Sequence, residues 1–166
     1  SFCTSNFEVL KLILIFKKYN NLPTLIECTS NQVNQHGGYT GLTPKKFYKK
    51  VILLLKKNRI SKEKIILGFD HLGPLPWKHL DSKKAMKNAE GLLNFALKDN
   101  YKKIHIDTTI LCRNDKELDL EKIRNRFKKL FKNIPRKKIR ELHIVAGSEV
   151  PFAGGGENKN TGSTLE

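Results

Sequence analysis

The residues best suited to chemistry lie directly after short apolar stretches of the sequence. Asp70 and His71 follow the stretch at residues 64–69. An aspartate can exchange a proton and a histidine can bind a divalent metal, so we predict a catalytic role for Asp70 and metal ligation by His71. A turn cap is the alternative for Asp70, and a zinc site needs further protein ligands.

A long loop at residues 31–41 is the second candidate, because it combines amide side chains with glycines. We predict that it binds substrate through Asn31, Gln32, Asn34 and Gln35. Amides offer donors and acceptors to an oxygen-rich ligand, and glycines open backbone turns closed to other residues. A compact Ω-loop with a purely structural role is the alternative.

Two more carboxylates follow later apolar stretches, and we predict that both bind substrate. Asp107 follows residues 103–106, and Glu149 follows residues 141–145. Since side chains alternate along a strand, His105 shares a face with Asp107 one step deeper. We predict a buried, hydrogen-bonded core histidine at position 105.

The elements that must position these residues alternate between strands and helices. Short β-branched stretches bounded by turn residues predict buried parallel strands. Apolar residues at helical spacing and capping residues predict the helices between them. The predicted strands are residues 1–3, 24–28, 64–69, 103–106 and 141–145, and the helices are residues 7–18 and those beginning at Thr43-Pro44, Ser82 and Asp119. This alternation predicts an α/β fold with a parallel sheet, as either a (β/α)₈ barrel or an open doubly wound sheet. Both architectures bind ligands at the carboxyl ends of their strands.

The composition of the chain limits the classes of protein and of function to which it can belong. The 166 residues suggest one domain, and no apolar run approaches a membrane span. Three scattered cysteines argue against a disulfide framework and favour a cytoplasmic location. The net charge of +16 comes from lysines on predicted helices, which is typical of solvated surfaces. Nucleic-acid binding is therefore disfavoured, and a polyanion-binding role is kept as a third hypothesis. No P-loop or GxGxxG motif is present.

Several segments together resemble the non-catalytic subunit of class II D-tagatose-1,6-bisphosphate aldolase. A long signature at residues 26–44 carries most of the resemblance. The others, in matching order and spacing, are residues 65–74 with Trp77, residues 103–107 and residues 146–151. The resemblance covers essentially the whole chain.

The resemblance implies a TIM barrel of the class II aldolase type. Full members are more than twice as long, and five strands cannot close an eight-stranded barrel. We therefore expect an N-terminal partial barrel of about strands 1–5 over residues 1–166, with residues 152–166 forming a loop or a disordered end.

The resemblance also implies a function. Such subunits support the activity and stability of a catalytic aldolase subunit in galactitol or N-acetylgalactosamine catabolism, and the catalytic subunit cleaves a sugar bisphosphate with zinc. Asp70-His71 looks like the Asp-His pair of catalytic subunits, but residues 147–150 lack the histidine that those subunits carry near the fifth strand. We expect zinc in the catalytic partner rather than in this chain. The alternative is a metal-dependent sugar-phosphate aldolase in its own right.

Overall fold

A computed structural model describes residues 1–19 and 22–147 of the chain. Strands and helices alternate along it, with one extra short helix before the last strand. The strands are β1 (Phe2–Cys3), β2 (Thr24–Thr29), β3 (Ile65–Leu72), β4 (Lys103–Ile106) and β5 (His143–Ala146). The helices are α1 (Phe7–Lys18), α2 (Pro44–Lys57), α3 (Ser82–Lys98), α4 (Leu120–Lys132) and α5 (Arg136–Ile139). The predicted α/β organisation is confirmed.

The five strands form one parallel sheet in the order β1-β2-β3-β4-β5. A doubly wound sheet reverses its strand order at a switch point, whereas a barrel adds each strand beside the previous one. The sequential order therefore selects the barrel from the two predicted architectures, and the sheet is an arc of one. Because crossovers between parallel strands are right-handed, successive helices lie on the same face of this arc.

The core lies between that helical layer and the sheet. Ile26 of β2, Phe69 of β3 and Ile104 of β4 are fully buried on the helix-facing side. On α3, Ala85, Ala89, Leu92, Leu93 and Ala96 are fully buried against them. The small alanines allow close approach of the helix, and each large apolar side chain that is buried contributes about 1.5–3 kcal/mol to folding.

The opposite, inner face of the sheet is polar. Register pairing places Cys3, Glu27, Gly68, Lys103 and His143 in one row across the five strands. A methyl group on Gly68 would lie 3.1 Å from the Cβ and Cδ of Lys103. The glycine therefore leaves room for the lysine side chain to lie across β3 and reach the neighbouring carboxylates.

Two of the three predicted helix N-caps are confirmed. Thr43 caps α2 by accepting a hydrogen bond from the Lys46 N–H, and Asp119 caps α4 by accepting one from the Lys122 N–H. The prediction that Ser82 caps α3 is wrong, because Ser82 is the first helical residue and Asp81 is the N-cap. The Asp81 carboxylate does not cap the helix but accepts a hydrogen bond from the Arg113 guanidinium, at 2.9 Å.

Two strand boundaries differ from the prediction by more than one residue. β3 continues to Leu72 rather than ending at Phe69, so Asp70 and His71 lie within it. β5 begins at His143 rather than residue 141, because Glu141 lies in a turn and pairs with Lys102 at 3.2 Å. Glu149 and the predicted loop at residues 152–166 lie outside the described residues. Among the described helices, none combines the length and apolar character needed to cross a lipid bilayer.

Candidate functional site

The candidate site is built by the last residues of β3 and by His105 of β4. Pairing of β3 with β4 shifts register between Phe69 and Leu72, and His71 adopts a left-handed backbone with φ of 49°. In a regular strand, Asp70 and His71 would face opposite sides of the sheet. The irregular backbone instead brings the two side chains together.

One carboxylate joins the two histidines. His105 Nδ1 lies 3.0 Å from Asp70 Oδ1, and His71 Nδ1 lies 3.3 Å from Asp70 Oδ2. The two imidazole rings are 4.3 Å apart between centroids. When Nδ1–H of a neutral imidazole donates to a carboxylate, the lone pair of the ring resides on Nε2. Asp70 can therefore fix the orientation of both rings and present both Nε2 atoms as ligands.

A largely buried ammonium group, that of Lys103, lies beside this carboxylate. Lys103 Nζ lies 3.5 Å from Asp70 Oδ1 and also pairs with Glu27, whose side chain is only 5% exposed. Burial raises the pKa of Asp70, but the hydrogen bond from His105 and the nearby His71 and Lys103 charges outweigh it and lower that pKa below its ordinary value. Asp70 is therefore an anion at neutral pH.

The donor set is compatible with a transition metal. Asp70, His71 and His105 each offer a ligand atom, and these atoms lie within 4.8 Å of one another. His105 Nε2 is buried and has no hydrogen-bond partner among the described residues. A methyl group on Gly147 would lie 2.9 Å from that nitrogen, so only a glycine fits beside the His105 ring there. Imidazole nitrogens are ligands that suit zinc.

Asp107 lies immediately beyond β4 and is almost completely buried. Its Oδ1 accepts hydrogen bonds from the N–H and the hydroxyl of Thr109, at 2.8 and 2.6 Å. Its Oδ2 is buried with no hydrogen-bond partner in the described part of the chain. Asp107 therefore shapes the loop after β4 and keeps one oxygen that can accept a further hydrogen bond.

The amides of the long loop form mainly the loop's own hydrogen bonds. Asn34 donates to the Ser30 carbonyl and accepts from the N–H groups of His36 and Gly38, at 2.9–3.0 Å. Gln32 accepts from the Thr29 N–H. These bonds are the ones expected of an Ω-loop, and substrate binding by Gln32 and Asn34 stays a prediction.

The other two loop residues have separate surroundings. Gln35 donates to the Asn88 carbonyl on α3, and the Asn31 carbonyl accepts from the Tyr39 N–H. The loop joins the candidate site through Ser30, whose hydroxyl donates to the His71 carbonyl at 2.9 Å. Substrate binding by Asn31 and Gln35 also stays a prediction.

Sequence reasoning missed the contributions of Glu27, Lys103 and His105. His105 is buried and hydrogen-bonded as expected, but its partner is Asp70, which makes it part of the site. The available signal was alternation along the strands. Glu27 interrupts an apolar strand, and Lys103 and His105 occupy the same face as Asp107.

Comparison with known proteins relates this chain to a protein family and to solved structures. Residues 1–165 match the sequence profile of a family described as GatZ/KbaZ-like, D-tagatose-1,6-bisphosphate aldolase subunit. The fold matches the crystal structure of a probable tagatose 6 phosphate kinase from Sinorhizobium meliloti 1021 with a TM-score of 0.81 and 33% sequence identity. That match covers 92% of this chain and 39% of the other chain, so this chain spans about two fifths of that relative.

Proposed function

Because this chain belongs to the GatZ/KbaZ-like family of D-tagatose-1,6-bisphosphate aldolase subunits, we propose that it acts as a non-catalytic subunit supporting a catalytic class II aldolase subunit. The family match over residues 1–165 is the observation that carries the proposal. The support concerns both the activity and the stability of the partner, in the cytoplasmic catabolism of galactitol or N-acetylgalactosamine.

The electrostatics of Asp70 favour a non-catalytic role. A general base works best when its pKa lies near the operating pH. The pKa of Asp70 is lowered, and its oxygens already contact His105, His71 and Lys103. Such a carboxylate holds its neighbours in place better than it removes a proton from a substrate.

In this role, the catalytic aldolase subunit carries out the cleavage. Zinc supplies a Lewis acid for the aldol reaction, and we propose that the catalytic subunit holds it. A sugar phosphate is the ligand class proposed for the loop face of this chain, where Asp107 keeps a free buried oxygen and Asn31–Gln35 contribute amides. Kinase activity, after which the structural relative is named, is not proposed for this chain, because its sequence has no P-loop motif.

A second candidate function is aldol cleavage by this chain itself. The observation that favours it is the convergence of Asp70, His71 and His105 within 4.8 Å. In that case Asp70 exchanges the substrate proton, and His71 and His105 hold the metal. The two candidates differ in whether any cleavage occurs without a catalytic subunit.

An assay of D-tagatose 1,6-bisphosphate cleavage separates them. A catalytic class II subunit is measured alone and with this chain, and the chain is also measured alone with added Zn²⁺. We expect a higher rate and a longer half-life of the catalytic subunit with the chain, and no cleavage by the chain alone. Binding at a concentration 100-fold above the dissociation constant would stabilise the partner by about 2.7 kcal/mol.

The Asp70→Asn variant identifies the source of any activity, with Asp81→Asn as a control carboxylate outside the site. Stimulation of the partner should survive both substitutions. Cleavage by the chain alone that disappears in Asp70→Asn and persists in Asp81→Asn would refute the non-catalytic role and establish the second candidate.

A further inference from the structure

We propose that a cavity at the amino-terminal end of the sheet binds a small organic anion with an apolar body, the class represented by medium-chain carboxylates. The cavity has a volume of about 310 Å³ and lies between α2, the start of β3 and the residues that lead into β4. The candidate site lies at the opposite end of β3. The proposal is therefore independent of the role beside a catalytic aldolase.

The inner wall of the cavity is apolar and belongs to the core. Val51 and Leu55 of α2 and Leu67 of β3 are at most 5% exposed, whereas Tyr48 and Ile52 line the cavity as half-buried side chains. The four α2 residues form one stripe, because residues three and four apart lie on the same helix face. Ligand pockets are typically concave and mostly apolar, with volumes from about 300 Å³ upwards. An aliphatic chain or a single ring can therefore be enclosed there.

The segments that border the cavity are tied to the ends of α2 and α3. After α2, the Ile60 N–H donates to the Leu55 carbonyl at 3.0 Å, and after α3 the Tyr101 N–H donates to the Ala96 carbonyl at 3.2 Å. Both bonds are those of a Schellman motif, which closes the end of a helix. The walls are therefore formed before a ligand arrives, and binding does not have to order them.

The mouth of the cavity carries an ammonium group that selects the charge of the ligand. Lys62 is exposed at the rim, and its Nζ lies 5.4 Å from the centre of the Tyr48 ring. Within the part of the chain that the structure describes, Lys62 forms no ion pair. An anion whose apolar body fills the cavity can place its charged group beside this ammonium.

Two carboxylates near the mouth do not cancel this preference. Glu63 accepts a hydrogen bond from the Ser61 hydroxyl, and Glu141 pairs with Lys102 at 3.2 Å. Both carboxylates are therefore held by donors of this chain, whereas the Lys62 ammonium keeps its donors for a ligand. The net charge of +16 adds a long-range attraction for anions.

Titration of the unaltered chain with sodium octanoate tests the proposal, with the methyl groups observed by NMR. Octan-1-ol serves as a ligand of the same length without charge. We expect saturable shifts at Val51, Leu55 and Leu67, no shift at Leu12 on the exposed side of α1, and about two- to fivefold weaker binding of octan-1-ol. Absence of saturable shifts at the three cavity residues, or equal affinities for the two ligands, would overturn the proposal whatever the aldolase assay shows.

Three variants place the ligand in the cavity. Lys62→Gln should lower the affinity for octanoate to that for octan-1-ol, whereas Lys84→Gln, which removes an exposed lysine on α3, should leave it unchanged. Ile52→Trp should abolish binding of both ligands, because the larger side chain fills the cavity. Full octanoate affinity in Lys62→Gln, or binding that survives in Ile52→Trp, would refute the assigned site.

Discussion

Replacement of Lys103 by methionine tests the reasoning about the polar inner face. The substitution keeps the apolar stem and removes the ammonium group that lies between Glu27 and Asp70. Glu27 is the residue most affected, because its side chain is 5% exposed and its carboxylate would remain buried without its cation. Removing one partner of a buried ion pair typically costs about 3–5 kcal/mol.

The contribution from Asp70 should be the smaller part of this cost. Asp70 is 23% exposed, stands 3.5 Å from the ammonium and keeps His105 as a hydrogen-bond donor. After the substitution, water and the His105 hydrogen bond therefore still stabilise the Asp70 carboxylate, whereas Glu27 has little access to water. With a urea m-value of about 2 kcal/mol/M, the total loss shifts the unfolding midpoint by about 1.5–2.5 M.

The assay is urea unfolding of four proteins: the unaltered chain, Lys103→Met, Glu27→Gln and the double variant. Glu27→Gln removes the buried negative charge, so the double variant should recover much of the stability lost in Lys103→Met. A loss below about 1 kcal/mol in Lys103→Met, or a double variant whose loss equals the sum of the single losses, would refute the buried-pair interpretation.

Two further predictions concern pH and packing. The pKa of Asp70 is lowered from 3.8 in the folded chain, so its ionised form stabilises the fold above about pH 4. This stabilisation is lost as the pH falls through the lower folded-state pKa. Over that pH range, urea titrations should show a shrinking difference in unfolding free energy between the unaltered chain and Asp70→Asn. Gly73→Ala should prevent stable folding, because its Cβ would lie 1.7 Å from the Asp107 carbonyl oxygen. The matched control Gly91→Ala, whose Cβ would meet Gln35 at an ordinary 3.5 Å within α3, should gain about 0.5–1 kcal/mol in thermal unfolding.

Periodicity was sufficient to predict the parallel sheet and the alternation of its strands with the four longer helices, because these depend on local patterns, but it did not predict the four-residue α5. The helix start at Thr43-Pro44 depends on local chemistry too, and it was predicted correctly. The start of α3 at Ser82 was also predicted correctly, but its N-cap was not, because the Asp81 carboxylate pairs with Arg113, a residue 32 positions away. Interactions between distant residues leave no signal in a local pattern.

Interactions between distant residues also explain why the site was only partly predictable from the sequence. Asp70-His71 was identifiable because a polar pair after an apolar stretch is a local feature. That Asp70 joins His71 to His105 depends on the register shift at the end of β3 and on the left-handed backbone of His71. A histidine takes that conformation only when its surroundings favour it, and here the ring lies against Asp70 and His105 while its carbonyl accepts from Ser30.

The polar inner face of the sheet connects the stability of the fold to the geometry of the candidate site. Barrel interiors are usually filled by bulky branched side chains, whereas Gly68 here makes space for Lys103 to connect Glu27 with Asp70. Such a network gains little stability over apolar packing, so its value lies in what it positions. It holds Asp70 as an anion, and that anion orients His71 and His105. The charge network and the candidate site are therefore one structure, and Lys103→Met should disturb both.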